Sequence, residues 1–374
     1  MKWNKDYLSM KINFLLGLMI CFSINQIKAQ DLPMASPKAK VMQRIGITDV
    51  TVEYFRPSVN GRKIWGQLIP FGYQYTAADG SSTAPWRMGA NNNTTIEFNH
   101  NLKINDKELI AGKYAVFSAI KEDGSTDVLI SKNHSGWGSM HYKEEDVVLS
   151  FNTKMDSIKI FYEQLTFGFE EVSNNSATLK MKWENLGMSI PIQVNTKEIA
   201  YQYLLDNERS FEAINPGTKS SWHQAAALYL TNNNFHLDKA LYWSNIAIDE
   251  ENGGIKNFPN LTTNVILLAL NDKANEANEL LDEAFKIAPN LNIMMFFGRQ
   301  ASTFELREIE KRNYLAALKK FPKATNAWVA EFQLSQVYLA DDNKKQFLKY
   351  IDKAIEGAPS SYVERIKAVK AKNI

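Results

Sequence analysis

The chain has 374 residues, of which 45% are hydrophobic and 22% are charged, a balance typical of a globular protein with more than one domain. Lys and Arg number 43 and Asp and Glu number 41. Without residues 1–29, which contain four Lys and one Asp, 39 basic and 40 acidic residues remain. This balance excludes binding to nucleic acid or to an anionic membrane by bulk charge.

The N-terminus has the pattern of an export signal. Lys11 precedes an apolar run over residues 12–24, and the small residue Ala29 stands before Gln30, which together predict a signal peptide cleaved after Ala29. The run is too short to span a bilayer as a permanent helix. Cys21, the only cysteine, lies within this segment, so the mature chain has no disulfide or thiol chemistry. We therefore expect a periplasmic or secreted bacterial protein.

Residues 30–195 have the pattern of a β domain. Short runs rich in β-branched and aromatic residues are separated by turn signals such as Asn105-Asp106 and Asn174-Asn175. The predicted strands are Asp49–Phe55, Thr94–Phe98, Tyr114–Ile120, Thr126–Ser131, Val147–Phe151, Ser157–Tyr162, Leu165–Val172, Ala177–Trp183 and Met188–Val194. Short strands at this spacing, with no helical stretch between them, predict an antiparallel β-sandwich or jelly-roll-like domain.

Residues 196–374 are rich in Ala, Leu, Asn, Lys and Glu and contain an internal repeat. In four places an alanine stands five residues before a proline or asparagine: Ala247 and Asn252, Ala284 and Pro289, Ala317 and Pro322, and Ala354 and Pro359. Successive alanines are 37, 33 and 37 residues apart.

This pattern resembles the tetratricopeptide repeat, in which small residues let paired helices cross closely and a proline ends the second helix. The glycine expected in the first helix is missing from the match. We predict four antiparallel helix pairs that form an α-solenoid. Such a solenoid offers a concave surface to a protein partner, and the alternative is a scaffold that binds nothing.

Several motifs of the β half occur in a fixed order: Ser36-Pro37-Lys38-Ala39, Gln43-Arg44-Ile45-Gly46, Arg56-Pro57, Gly61-Arg62-Lys63-Ile64-Trp65-Gly66, Ile69-Pro70-Phe71-Gly72, Pro85-Trp86-Arg87-Met88-Gly89-Ala90-Asn91 and Ala111-Gly112-Lys113-Tyr114. This order resembles the bacterial family catalogued as domain of unknown function 2911, common in Bacteroidetes, over Gln30 to Val194. The resemblance implies an exported β domain without an established activity, often followed by helical repeats. Family members commonly carry Glu where this chain has Asn92.

The stretch of residues 56–93 combines Arg, Trp, Gly, Pro and Asn without a helical or strand period, which is typical of a functional loop or of a plug over a β core. Its candidate ligand-binding residues are Arg56, Arg62, Trp86, Arg87, Asn91 and Asn92. The polar members would bind a carboxylate or a sugar, and Trp65 and Trp86 would provide stacking surfaces. The alternative, which we favour, is that the arginines pair with carboxylates and fix a long loop.

A second cluster, residues 133–142, contains His134, Trp137 and His141. Trp137 and His141 are further candidate ligand-binding residues. The two histidines have no carboxylate ligand beside them within the loop, so we expect no metal site. The simplest interpretation is a loop whose Trp137 side chain fills a gap in the β core.

No motif of a known reaction occurs in the chain. There is no Gly-x-Ser-x-Gly, no His-Glu-x-x-His and no phosphate-binding glycine loop, and we expect no cofactor. We therefore predict a non-enzymatic binding or assembly protein that contacts a protein partner through its helical repeats. The alternative is a protein that binds or hydrolyses a carbohydrate or cell-wall fragment in a pocket on the β domain, since paired carboxylates need only be close in space.

Overall fold

The computed structural model describes residues 33–76, 82–214 and 216–374. The predicted signal peptide lies outside the described residues. The chain divides into two compact units, a β unit that ends at Thr196 and a helical unit of Lys197–Ile374. Within the described ranges, no helix is both long and apolar enough to cross a membrane.

The β unit is built on an antiparallel sheet. Its strands are β1 Lys38–Ile45, β2 Thr48–Phe55, β3 Gln74–Tyr75, β4 Thr83–Ala84, β5 Thr95–Phe98, β6 Leu102–Ile104, β7 Lys107–Leu109, β8 Gly112–Ile120, β9 Ser125–Ser131, β10 Val147–Glu170 and β11 Ser176–Gln193. Nine strands follow the order β1-β2-β5-β8-β9-β10-β11-β6-β7, and β3 pairs with β4. Buried and partly exposed residues alternate along β2, as expected for a strand with one face on the core. The predicted antiparallel β architecture is confirmed.

The long strand β10 joins the two parts of the sheet. Residues 147–154 pair with β9, whereas residues 155–170 pair with β11. Residues 57–59, just after β2, also pair with residues 163–165, through the Val59 amide to the Glu163 carbonyl oxygen at 2.8 Å and the Leu165 amide to the Pro57 carbonyl oxygen at 3.0 Å. This second pairing closes the strands from β2 to β10 into a barrel-like ring.

Two strands are longer than the sequence pattern predicts. The three predicted strands between Val147 and Val172 form the single strand β10, and the two between Ala177 and Val194 form β11. The pairing of β10 with β11 shifts register between Ser157 and Tyr162 and again before Thr166. Such bulges interrupt the alternation of side chains while the backbone ladder continues, so the pattern alone divides one strand into several.

Part of the irregular stretch of residues 56–93, together with Thr94 just after it, pairs with strand β8. Thr94 accepts from the Val116 amide at 2.8 Å, Trp86 and Ser118 exchange two backbone hydrogen bonds of 2.8 Å, and the Gly72 amide donates to the Ile120 carbonyl oxygen at 2.7 Å. Strand β5 pairs with β8 as far as Thr95 and Ala115. These residues therefore supply hydrogen-bond partners to the backbone groups of β8 that strand β5 does not reach.

The helical unit contains ten α-helices among its described residues: α1 Thr196–Ile214, α2 Pro216–Asn232, α3 Leu237–Ile248, α4 Phe258–Leu270, α5 Ala274–Ile287, α6 Leu291–Thr303, α7 Arg307–Lys320, α8 Ala327–Ala340, α9 Lys344–Gly357 and α10 Ser360–Lys372. Four pairs of successive helices pack together: α2 with α3, α4 with α5, α6 with α7, and α8 with α9. The four predicted helix pairs are confirmed. The repeated alanines, Ala247, Ala284, Ala317 and Ala354, are all fully buried in the second helix of each pair, where their size permits a close crossing.

The third pair also contains the glycine that the sequence match missed. Gly298 lies in α6, and a Cβ atom there would stand 2.5 Å from Cε1 of Tyr314 and 2.8 Å from Nδ2 of Asn313. Tyr314 and Asn313 belong to α7 and are fully buried. The prediction that this glycine is missing is therefore wrong for the third pair, where the helices approach too closely for a side chain.

Candidate functional site

The two clusters singled out in the sequence meet on the β unit, where residues 91–93 pair with residues 136–138. The Asn93 amide donates to the Gly136 carbonyl oxygen at 3.1 Å, and the Gly138 amide donates to the Asn91 carbonyl oxygen at 2.9 Å. These bonds flank an antiparallel bridge between Asn92 and Trp137. Residues opposed in this way form a non-hydrogen-bonded antiparallel pair, in which the two side chains lie close together on one face. We call Asn92 and Trp137 the surface pair.

Two further contacts and two left-handed residues hold the backbone of this site. Ser139 donates from Oγ to the Pro85 carbonyl oxygen at 2.9 Å, which ties the loop of residues 133–142 to the stretch before Trp86. Asn91 has a φ of +53° and Gly138 a φ of +69°, values that asparagine and glycine adopt with least strain. The Asn91 amide nitrogen lies 3.3 Å from the Ser36 carbonyl oxygen. Asn91 therefore fixes the loop rather than facing a ligand.

Trp137 does not fill the β core, so that prediction is wrong. Its side chain is 58% exposed, and Asn92 beside it is exposed as well. The physical reason lies in the backbone, because the bridge to Asn92 fixes the face of the strand from which the indole projects. His141 is also exposed, and its carbonyl oxygen lies 3.4 Å from the Asn133 amide nitrogen. Trp137, Asn92 and His141 are thus all exposed on the surface.

Trp86 is placed differently, in a cluster of three tryptophans. It is 3% exposed and stacks on Trp183 with ring centroids 6.0 Å apart and planes at 20°. Trp65 meets both rings edge-on at 5.9 and 5.8 Å. Such offset and edge-to-face contacts stabilise a core beyond the area that they bury. The predicted stacking surface of Trp86 is therefore occupied by the protein's own side chains.

Arg56 and Arg62 bind the backbone of the β unit. Arg56 donates from Nε to the Leu165 carbonyl oxygen at 3.0 Å and from Nη2 to Thr166 Oγ1 at 2.8 Å. Arg62 donates to the carbonyl oxygens of Val59 and Ser58, at 3.1 and 2.5 Å. The expectation that these arginines pair with carboxylates is wrong, although both do fix the long stretch as that interpretation required.

Arg87, the third arginine of this stretch, differs from Arg56 and Arg62 in having a buried nitrogen without a hydrogen-bond partner among the described residues. Among the described residues no ion pair includes it, and its Nε is buried without a hydrogen-bond partner. Burial alone lowers the pKa of the Arg87 guanidinium, because removing a charge from water disfavours the charged form. The neighbouring Asn93 is also buried, with its Oδ1 unpaired in the described part of the chain.

The loop ends at a small tyrosine network that the sequence did not indicate. Tyr142 donates to Glu144 and meets Tyr73 and Phe117 edge-on, at 6.3 and 5.2 Å. Burial, followed by the hydrogen bond to Glu144, raises the pKa of Tyr142. Neither histidine of the loop joins a metal-binding arrangement, since no group of three His, Cys, Asp or Glu side chains suited to a metal occurs in residues 33–76, 82–214 and 216–374.

Comparison with known proteins agrees with this description. Residues 36–192 match the family described as protein of unknown function (DUF2911), which confirms the resemblance found in the β half. No curated protein matches the chain. The chain thus combines a β unit that is similar to this family with a tetratricopeptide-like helical repeat.

Solved structures similar to this chain include tetratricopeptide (TPR) proteins. YrrB, described as a TPR protein with an unusual peptide-binding site, is 16% identical, with 48% of this chain and 90% of YrrB covered and a TM-score of 0.28. The fragment of MamA from residue 41 onward, from Desulfovibrio magneticus RS-1, is 15% identical, with 42% and 89% covered and a TM-score of 0.27. A double mutant of MamA RS-1 is 16% identical, with the same coverage and TM-score.

Proposed function

We propose that this chain is an exported, non-enzymatic binding or assembly protein whose helical unit contacts an acidic segment of a protein partner. The observation that carries this proposal is the separation of charge along the helical unit. Residues 197–310 contain 9 basic and 16 acidic residues, a net charge of −7, whereas residues 311–374 contain 13 basic and 6 acidic residues, a net charge of +7. Opposite fields of this size at the two ends steer charged partners to one of them.

The positive end has a defined surface on helix α9. Lys345, Lys349 and Lys353 are spaced by four residues, so they share one face of the helix, and all three are exposed. Among the described residues, no ion pair includes any of them. We call these three residues the basic stripe. Tyr350 lies beside the stripe, with the ammonium groups of Lys349 and Lys353 at 5.1 and 5.7 Å from its ring centroid.

Repulsion within the basic stripe lowers the stability of helix α9. Like charges four residues apart each cost a helix about 0.2–0.5 kcal/mol, and here Lys349 repels Lys345 on one side and Lys353 on the other. A binding surface often retains charges that lower the stability of the free protein. An acidic partner segment would remove this repulsion and would gain ion pairs in its place.

The test is affinity capture from the envelope of the source cells with the mature chain, residues 30–374. We expect one or more acidic proteins to bind the wild type and to be lost from the variant K345E/K349E/K353E. We also expect them to be released at about 1 M salt, where the Debye length falls to about 3 Å. The single variant K349E gives the most specific test, because it should weaken capture of the acidic proteins while raising the stability of the free chain.

A matched control changes the same charge elsewhere. Lys40, Lys63 and Lys159 are exposed lysines of the β unit, and K40E/K63E/K159E should leave capture unchanged. Capture that survives both the stripe variant and high salt would rule out the basic stripe as the contact surface. If both triple variants lose capture equally, capture depends on the net charge of the chain and not on the basic stripe.

Export is a separate part of the proposal, supported by the apolar run that follows Lys11. Expression of the full chain in a Gram-negative host should yield a periplasmic or secreted product whose N-terminal residue is Gln30. A cytoplasmic product that retains Met1 would contradict export and would leave the basic stripe to be judged on its own experiment.

A further inference from the structure

The surface pair is held rigidly in an exposed position. The two backbone hydrogen bonds of 3.1 and 2.9 Å flank it on either side, and the bond from Ser139 to Pro85 anchors the chain just beyond it. At Gly136 a Cβ atom would lie 2.9 Å from the side-chain Nδ2 of Asn93. The two segments are therefore in close contact next to the pair. In a loop without such bonds, the Trp137 indole would turn to pack on apolar surface of the protein. The backbone hydrogen bonds on either side of Trp137 oppose this movement.

Both side chains of the surface pair are available to a ligand. Trp137 is 58% exposed, and neither its indole nitrogen nor the Asn92 amide makes a hydrogen bond to any described residue. The pair therefore presents a flat aromatic face beside an amide that both donates and accepts hydrogen bonds. Because the backbone of both segments is already hydrogen-bonded, a ligand would not have to order the loop when it binds.

The two segments that carry the pair are polar and have no charged residue. Residues 88–96 and residues 133–142 contain no Lys, Arg, Asp or Glu. On either side of Trp137 in the sequence, the loop contains the polar residues Asn133, His134, Ser135, Ser139 and His141. A charged ligand would find no countercharge in these segments, and an apolar ligand would leave the polar side chains beside the indole without hydrogen-bond partners. The complementary ligand is neutral, rich in hydroxyl groups and flat on one face.

We propose that Asn92 and Trp137 form a binding site for a neutral sugar residue of a glycan. The face of a pyranose ring that carries axial C–H bonds would pack on the indole, which removes apolar surface of both partners from water. The ring hydroxyls would bond to the Asn92 amide. This site is independent of the basic stripe and of the protein-binding role proposed for the helical unit.

The test is titration of the mature chain with neutral oligosaccharides of glucose, N-acetylglucosamine, mannose and xylose, followed by calorimetry and by thermal shift. We expect at least one to bind, and Trp137→Ala to weaken that binding at least tenfold. Asn92→Ala should weaken it about threefold to tenfold, equivalent to the ~1 kcal/mol of a typical hydrogen bond. Because Trp137 is exposed, the alanine variant should fold and melt like the wild type.

Two controls make the result specific to the pair. Tyr75 is an aromatic residue of the same unit that is 77% exposed, and Tyr75→Ala should keep full affinity. The stripe variant K345E/K349E/K353E should also bind the sugar normally, so failure of either proposal leaves the other intact. The proposal is overturned if no oligosaccharide of the panel binds, or if the bound one binds Trp137→Ala as tightly as the wild type.

Discussion

Arg56 reaches across the β unit to Leu165, donating from Nε to its carbonyl oxygen at 3.0 Å although the two residues are 109 positions apart. The same guanidinium donates to Thr166 Oγ1 at 2.8 Å. Both bonds lie where residues 57–59 pair with residues 163–165. Arg56 therefore stabilises the closure of the ring between the end of β2 and the far half of β10.

Replacement of Arg56 by alanine should destabilise the β unit. The variant leaves the Leu165 carbonyl oxygen without this donor, and hydrogen bonds to a charged group each contribute about 1.5–3 kcal/mol. We expect the free energy of unfolding, measured by urea denaturation, to fall by about that amount. Arg62→Ala is the matched control, because the hydrogen bonds of Arg62 to described residues go to nearby Ser58 and Val59, and the residue is exposed. Equal losses in both variants would contradict a special role for Arg56 in ring closure.

Gly298→Ala should destabilise the helical unit, although alanine is the better helix former. The new Cβ would stand 2.5 Å from a ring carbon of the fully buried Tyr314. Overpacking of this kind costs about 1–3 kcal/mol, more than the ~0.5–1 kcal/mol that glycine loses to alanine in a helix. Thermal and urea denaturation check the sign. The control Thr303→Ala, at an exposed position of the same helix, should change stability by less than about 0.5 kcal/mol.

The repeat could be found from the sequence because its evidence is local. Small residues at a regular spacing, with proline beyond them, identify the second helix of each pair, and all four alanines are buried as that reading requires. Gly298 stands 19 residues before Ala317, and the corresponding positions before the other three alanines hold Leu228, Val265 and Ser335. One glycine in four repeats does not form a periodic signal, so only the contact with Tyr314 reveals it.

The site was less accessible to sequence reasoning because it depends on pairing between distant segments. Asn92 and Trp137 are 45 positions apart, and nothing in either segment indicates that they oppose one another. Apolar character predicts burial for Trp137, yet the direction of its side chain is set by the strand face that the Asn92 bridge imposes. Arg56 and Arg62 fix the stretch as expected, but their partners are carbonyl oxygens and the Thr166 hydroxyl, which sequence composition does not identify.

Glu310 should make the stability of the helical unit depend on pH. Burial raises the pKa of this carboxyl more strongly than the hydrogen bond to Ser302 and the charge of Arg307 lower it. Folded Glu310 therefore holds its proton more tightly than the unfolded chain does, and its stabilising contribution is complete below the ordinary Glu pKa of about 4.3. That contribution is lost as the pH rises through the raised pKa of the folded state.

Glu310→Gln tests this pH dependence, since glutamine has no ionised form. The stability of the variant relative to wild type should increase as the pH rises from about 4 to about 7, in urea denaturation at each pH. The exposed Glu279→Gln gives the baseline for loss of a surface carboxyl. A constant difference between Glu310→Gln and wild type across this range would show that the carboxyl titrates alike in the folded and unfolded chain.

Arg87→Met should leave the β unit as stable as the wild type or more stable. The guanidinium holds a buried Nε without a hydrogen-bond partner, and no acid among the described residues balances its charge. An unsatisfied buried polar group costs about 1–3 kcal/mol, and methionine keeps most of the aliphatic stem while removing that group. Urea denaturation in a chloride buffer should show this gain, whereas Arg87→Ala, which also removes the stem, should gain less. A loss of more than about 1 kcal/mol in Arg87→Met would mean that the charge itself stabilises the fold, and repeating the measurement with added acetate would reveal whether a carboxylate is the missing partner.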